Sequence, residues 1–290
     1  MILNLFLFPS MKMIHSAKIF ILFILTSLSL HIQAQDRPPY DLESPKIIYT
    51  LPDYLEEVSG LTYFNTNQLA MHNDEKGRMY VFDLKKRTVV QRVRFDGDGD
   101  YEGIERVGEY IYIVKSNGNL YRFNVNIEGV VEKIETPFDS KNNVEGLGYN
   151  PKTNHLLIAL KDDGDTPDVK VAGKAIYGYN LNEKTFDKLP HFSVSHKDME
   201  RVLGKDYKFH PSAVAVHPLT EEIYVLSAHK RALMIFGKDG KPKNLTDLKR
   251  SLFPQPEGIA FSPEGDLYIS NEMEGEGGTL LWFKMKQQNH

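Results

Sequence analysis

The sequence contains no cysteine. That excludes disulfides, thiolate metal sites, a cysteine nucleophile and a lipid-modified N-terminal cysteine, while saying nothing about redox compartment. A basic stripe is also missing. Lys and Arg number 35 against 39 Asp and Glu, for a formal charge of −4, which falls to −6 once Lys12 and Lys18 of the N-terminal segment are set aside. Nucleic acid is therefore not an expected partner. There is no GxSxG elbow, no HExxH pair and no phosphate-cradling glycine loop, so the common serine-hydrolase, zinc-protease and nucleotide signatures are absent. Only a Ser-His-Asp triad assembled from distant segments stays open. No apolar run reaches the roughly 20 residues of a membrane span.

The longest such run lies near the start. Ile19 to Leu25 is continuously apolar and extends through Thr26-Ser27-Leu28-Ser29-Leu30. With Lys12 and Lys18 before it and Ile32-Gln33-Ala34 after it, residues 1–35 read as an export signal with Gln35 as the first mature residue. Left uncut, the same segment (residues 19–32 above all) would be an N-terminal anchor and the one contact with a membrane. Met1 to Ser10 is itself apolar, so Met11 and Met13 are further candidate starts. The expected location is the periplasm or cell envelope. Residues 36–45, with Pro38 and Pro39, read as a linker, and 46–285 as one domain.

What the chain has instead is a phrase said five times: a small or acidic residue, then Gly or Ala, then an aliphatic residue. It reads Ser59-Gly60-Leu61, Glu102-Gly103-Ile104, Glu145-Gly146-Leu147, Ser212-Ala213-Val214 and Glu257-Gly258-Ile259, with middle residues 43, 43, 67 and 45 positions apart. A period of roughly 40–50 residues marks a propeller or solenoid. After each phrase comes a second apolar strand: Gln68–His72, Tyr110–Val114, Leu156–Leu160, Ile223–Leu226 and Leu267–Ser270. A third strand follows at Met79–Phe82, Leu120–Phe123, Ile176–Tyr179, Leu233–Phe236 and Leu280–Phe283. Outer strands are expected at Thr88–Phe95, Val130–Thr136 and Thr185–Val194. Asn117-Gly118, Asp239-Gly240 and Glu264-Gly265 supply turns. The expected fold is all-β: a five-bladed β-propeller of four-stranded antiparallel blades. The unpartnered strand Lys46–Leu51 should close the last blade, since closure removes an exposed sheet edge. The long third interval is assigned to insertions at Lys161–Lys174 and between Ser195 and His210, the latter with a short helix at Lys197–Leu203. A degenerate sixth blade is the alternative.

In such a ring the inner strands crowd the axis, and Gly or Ala lets their backbones approach. The residue before it then sits at the same height in every blade. Glu102, Glu145 and Glu257 should converge there, with Ser59 and Ser212 lining the same channel. Three like charges in a narrow tube repel, and burial raises the cost. The remedies are raised pKa values, lysine partners (Lys115 and Lys161 are best placed) or a bound hard cation, calcium before magnesium. The simpler alternative is that Glu-Gly is turn chemistry entering a strand. Asp74, Asp162 and Glu272 each follow a second strand and should rim one mouth, as solvated acids or as a binding rim. Asp96-Gly97-Asp98-Gly99-Asp100 alternates acids, but counting from Asp96 the EF-hand places for Gly and Glu hold Tyr101 and Val107, so it reads as a polar turn or a surface calcium loop.

At these residues the chain resembles the SdiA-regulated family of exported bacterial β-propellers, related to the NHL-repeat group. The resemblance rests on Val58-Ser59-Gly60-Leu61-Thr62, on Phe95 through Ile104, on Val144–Leu147, on Tyr224–Ser227 with Arg231-Ala232-Leu233, and on Gln255-Pro256-Glu257-Gly258-Ile259-Ala260. It implies a five-bladed propeller with calcium at Glu102, Glu145 and Glu257; the family's name describes regulated expression, not an activity. The leading expectation is a binding module for an unidentified protein or small molecule at the channel mouth, without catalysis. One rival is a metal-dependent hydrolase of the lactonase or phosphoesterase kind, with His72, His229 or Asp162 as base. The other is an envelope scaffold without a small-molecule site.

Overall fold

The computed structural model describes residues 37–286 apart from 128, 196, 198, 201–208 and 274–276. Its first strand, β1 (Ile47–Thr50), stands alone in the sequence. Blade I is β2 (Val58–Asn65), β3 (Gln68–Asn73), β4 (Lys76–Asp83) and β5 (Thr88–Asp98). Blade II is β6 (Tyr101–Val107), β7 (Tyr110–Lys115), β8 (Leu120–Asn124) and β9 (Val131–Ile134). Blade III is β10 (Val144–Asn150), β11 (His155–Leu160) and β12 (Lys174–Asn180), with two short outer strands, β13 (Thr185–Phe186) and β14 (Phe192–Val194). Blade IV is β15 (Ala213–Val216), β16 (Ile223–Ser227), β17 (Ala232–Phe236) and β18 (Pro242–Asp247); blade V is β19 (Pro256–Phe261), β20 (Leu267–Asn271) and β21 (Thr279–Phe283).

Each blade is an antiparallel meander, and β1 completes blade V by pairing with β21, Ile48 opposite Leu281. The ring therefore closes through the N-terminal strand, as its lack of a local partner implies. Five blades account for the whole repeat, and no sixth forms among the described residues. Two differences from the sequence reading stand out. Blade IV has an outer strand, β18, whose polar Pro-Lys-Asn-Leu-Thr-Asp run hides the edge-strand pattern. The single outer strand expected at Thr185–Val194 is broken into β13 and β14. The helix expected at Lys197–Leu203 falls largely outside the described residues.

The core is five apolar clusters, one between each pair of neighbouring blades. The cluster between blades V and I joins Ala260, Tyr268 and Leu280 to Leu61, Leu69, Met71 and Phe82. The same mixing occurs between I and II, II and III, III and IV, and IV and V. No blade buries its face alone, so stability is a property of the closed ring. Tyr40 and Leu42, within the stretch read as a linker, are buried between blades IV and V, and the Tyr40 hydroxyl donates to the Gly265 carbonyl at 2.5 Å.

The inner strands show how the repeated phrase works. In blade I, Val58 pairs with Asn73 and Gly60 with His72, leaving Ser59 without a partner across the ladder. The same one-residue bulge falls at Glu102, Glu145 and Glu257. A bulge inserts one extra residue and re-aims its side chain, and bulges recur beside functional sites. The glycine that follows is required by contact. A Cβ at Gly103 would stand 2.6 Å from Leu147 Cβ and 2.7 Å from Leu147 N. At Gly60 it would meet Ile104 Cγ2 at 2.9 Å, at Gly146 the Val214 nitrogen at 3.0 Å, and at Gly258 Leu61 Cβ at 2.7 Å. At four of the five junctions the aliphatic residue of one phrase thus packs on the glycine of the blade before it, by side chain or backbone; blade IV carries Ala213 in the glycine's place.

This interlock is testable. Gly103→Ala should destabilise by about 1–3 kcal/mol, the usual cost of forcing atoms into a packed site, seen as a lower denaturant midpoint. Gly97→Ala, where a Cβ meets nothing within 4 Å, should leave the midpoint unchanged.

Candidate functional site

The bulges bring the phrases together on the axis. A void of about 10 Å³ is lined by Gly60, Glu102, Glu145, Ser212 and Glu257 with their neighbours in the five phrases. That is near the smallest space able to hold one water-sized occupant. Ser59 Oγ lies 3.2 Å from the Glu102 carbonyl and 3.1 Å from Glu102 Oε2, and Ser212 Oγ donates to the Pro256 carbonyl at 3.2 Å. The two serines therefore tie blade I to II and IV to V, while the three glutamates supply charge. The carboxylates remain spread around the ring. Among the described residues, only His155, Asp187 and His191 bring three such donor atoms within 4.8 Å of one another.

Burial dominates the electrostatics. It pushes the Glu257 carboxyl up to about 8, with Glu145 adding repulsion and Lys161 opposing. Glu102 and Glu145 are both raised, again by burial first; repulsion from Glu145 comes next for Glu102, while Lys161 partly offsets the rise in Glu145. Lys161 Nζ donates to Glu145 Oε1 at 2.8 Å. Burial works against its ammonium, but Glu145, followed by Glu257 and Glu102, outweighs burial and raises it overall. Of the two lysines expected to compete for the carboxylates, Lys161 does so and Lys115 does not. Lys115 is spent on Asp96 at 3.6 Å and on the Tyr101 and Tyr121 rings.

The second strands run antiparallel to the inner ones, so their ends lie beside the bulges. Val144 faces Leu160 and Pro256 faces Asn271, which places Asp162 and Glu272 at one mouth, with Asp74 at the equivalent end of β3. A cavity of about 520 Å³ opens there, lined by Lys161, Asp162, His210, His229, Arg231, Gln255 and Glu257. Glu257 and Lys161 belong both to it and to the axial carboxylate set. Asp162 sits 3.7 Å from His210 Nδ1, which also approaches the Lys161 carbonyl at 3.2 Å. Glu272 accepts from Gln255 Nε2 at 2.6 Å. Asp74 is raised to about 6 by burial, then by Glu57.

Some expected residues do not take part. His72 is fully buried, its Nδ1 3.1 Å from the Asn73 carbonyl, and burial lowers it to about 4. It cannot reach a substrate and is not a base at the mouth; His229 and Asp162 keep that position. The acids of the Asp96–Asp100 turn point to separate partners: Asp96 to Lys115 and Tyr101, Asp98 to Lys76, and Asp100 to Ser116. These are the contacts of a polar turn. One half-buried carboxylate was missed. Glu105 accepts from Thr62 Oγ1 at 2.6 Å and from the Arg106 amide at 2.8 Å, and burial raises it to about 7. It lines a second cavity of about 290 Å³ with Arg106, Tyr149 and Phe261. Its place three residues past Glu102 on β6 was the signal available.

Fold and site together define a class: a five-bladed β-propeller with an acidic axis. More particularly, the chain belongs to the SdiA-regulated family, whose model matches residues 46–274. No curated protein matches the sequence. Among solved structures it is similar to the glutaminyl cyclase of Myxococcus xanthus, at 15% identity over 83% of this chain and 95% of that one, with a TM-score of 0.58. It is also similar to a luciferin-regenerating enzyme, at 11% identity over 83% and 95%, TM-score 0.50. A third likeness is to a protein of unknown function from Bacteroides thetaiotaomicron, at 10% identity over 79% and 57%, TM-score 0.50. At these identities the likeness is one of fold.

The raised carboxyls predict a pH dependence. Each binds its proton more tightly in the folded chain than in the unfolded one, so the folded state holds more protons and stability falls as pH rises. With metal chelated, stability should be fullest below the ordinary glutamate value of 4.5 and decline as pH rises through about 8. Melting temperatures across that range should show this decline, and Glu257→Gln should make it shallower.

Proposed function

We propose that this chain is an exported, calcium-binding β-propeller that serves the cell envelope as a binding module, taking its ligand or partner at the mouth above the axial carboxylates. The observation that carries the reading is the shared wall: Glu257 and Lys161 connect the axial site to the roomy polar cavity.

The donor set fits a hard cation. It is all oxygen, it is buried, and it leaves a void of ion size. Lys161 compensates one of the three carboxylates and leaves two, the charge of one divalent ion. Glu102, Glu145 and Glu257 would hold it. Their dispersed placement suits calcium's flexible coordination better than the strict octahedron of magnesium. When bound, the ion would supply neutralisation and fasten three blades at one point. The chain's own residues do the rest: Lys161 fixes Glu145, and Ser59 orients Glu102.

Export is supported by the composition of residues 1–35, which lie outside the described residues. Among the described residues no helix is long and apolar enough to cross a membrane.

A second reading, metal-assisted hydrolysis, is favoured by one feature. His210, His229, Asp162 and Arg231 converge on the same cavity as Glu257. That is a base and a cation beside an acidic site, an arrangement able to activate water and hold an anionic substrate.

Calcium titration tests the leading reading, because a ligand held only by the folded state stabilises it by mass action. Added calcium should raise the melting temperature of the wild type and much less that of Glu145→Gln or Glu257→Gln. Equal melting in chelator and calcium, with variants indistinguishable from wild type, would remove calcium from the account. On a panel of lactones and phosphoesters the expected result is no turnover; metal-dependent turnover lost in Glu102→Gln would establish the hydrolase instead.

A further inference from the structure

The broken outer strand of blade III carries a feature unrelated to the axis. β13 and β14 both pair with β12, Phe186 opposite Tyr179 and Phe192 opposite Ile176. The five residues between them, Asp187-Lys188-Leu189-Pro190-His191, leave the ladder as a loop. Its two ends stay tied to β12: the Asp187 amide donates to the Gly178 carbonyl at 2.9 Å and the His191 amide to the Ile176 carbonyl at 2.8 Å. Their side chains fold back over Gly178, where a Cβ would overlap both Asp187 Oδ2 and His191 Nε2. Next to them stands His155, the first residue of β11.

We propose that His155, Asp187 and His191 form a zinc-binding site that fastens the interrupted outer strand to blade III.

The geometry carries this in three ways. First, one donor atom from each residue lies within 4.8 Å of the others. His191 Nε2 is 3.0 Å from Asp187 Oδ2, and His155 Nε2 is 3.7 Å from Asp187 Oδ1. A tetrahedral ion with arms of 2.0–2.1 Å sets its ligands about 3.4 Å apart, between those two values. Second, His155 Nδ1 lies 2.7 Å from the Thr153 carbonyl. A carbonyl only accepts, so Nδ1 carries a hydrogen, and Nε2 is the nitrogen that faces the Asp187 carboxylate. A backbone carbonyl on the far nitrogen is also the usual outer partner of a metal-bound histidine. Third, the site is half-buried, and Asp187 supplies its only anionic donor: His155 and His191 side chains are 13% and 27% exposed.

Two imidazoles and one carboxylate form a borderline donor set, suited to zinc and not to calcium. The fourth position falls to water, since three protein ligands are present. None of the three residues lines the cavities described above, which points to a fastening role. The ion would pin a loop that otherwise interrupts an edge strand, where unpaired backbone invites association.

The test uses the full exported chain and zinc alone. Isothermal titration should give one zinc per chain, and cobalt in its place should give the visible absorption of a tetrahedral site. His191→Gln and His155→Ala should weaken zinc binding by at least roughly tenfold, the loss that even an outer-shell partner can cause. Glu145→Gln, on the axis, should leave it unchanged. Asp187→Asn keeps the side-chain shape and guards against misfolding, which circular dichroism would reveal; it too should bind zinc more weakly. Zinc binding of equal strength in all these variants, or lost instead in His210→Ala, would overturn the proposal, as would a wild type that binds no zinc at micromolar concentration.

Discussion

The close approach of inner strands around the axis governs the rest of the molecule. Three blades set an aliphatic side chain against the glycine of the preceding blade: Ile104 on Gly60, Leu147 on Gly103, Leu61 on Gly258. The contact leaves no room for a Cβ, so the backbone bulges one residue earlier, and the bulged residue has only the axis to point into. Packing and function are thus linked at a single tripeptide. The apolar clusters between blades depend on the same spacing, and so does the ring closure that β1 completes.

The charge on the axis follows from that geometry and is not offset by it. Serines at this position cost little, because each hydroxyl bonds the next blade's backbone. Bulged glutamates are costly: burial raises all three, and one lysine answers only one of them. A stable fold does not need three carboxylates packed at its axis. Their presence beneath an open polar cavity is what directs attention to a cation there and to a ligand above it. Uncharged residues would serve packing better, so the acids are best understood through binding.

The two candidate metal sites answer different problems with different donors. On the axis, oxygen ligands from three separate blades would share one hard ion, coupling the blades to each other. On blade III, two imidazoles and a carboxylate from one sheet would hold a borderline ion, repairing a local break in the outer strand. The first joins distant repeats and the second mends one of them, so neither depends on the other.

Much of this was legible in the residues themselves. A tripeptide recurring at a near-constant interval fixed the number of blades, and the lone strand Lys46–Leu51 announced how the ring closes, because an apolar strand must find a partner. Alternation and turn residues located the second and third strands, and the order Ser, Glu, Glu, Ser, Glu named the residues that begin or precede the inner strand of each blade. Tertiary structure decided what periodicity cannot express. A bulge is a mismatch between two strands, so it has no signature in one of them. Lys161 and Lys115 occupy equivalent places in the repeat, yet only the fold selects which reaches an axial glutamate. Asp187 and His191 reach His155 because an outer strand breaks over Gly178, and that proximity exists only once β11 and β12 lie side by side.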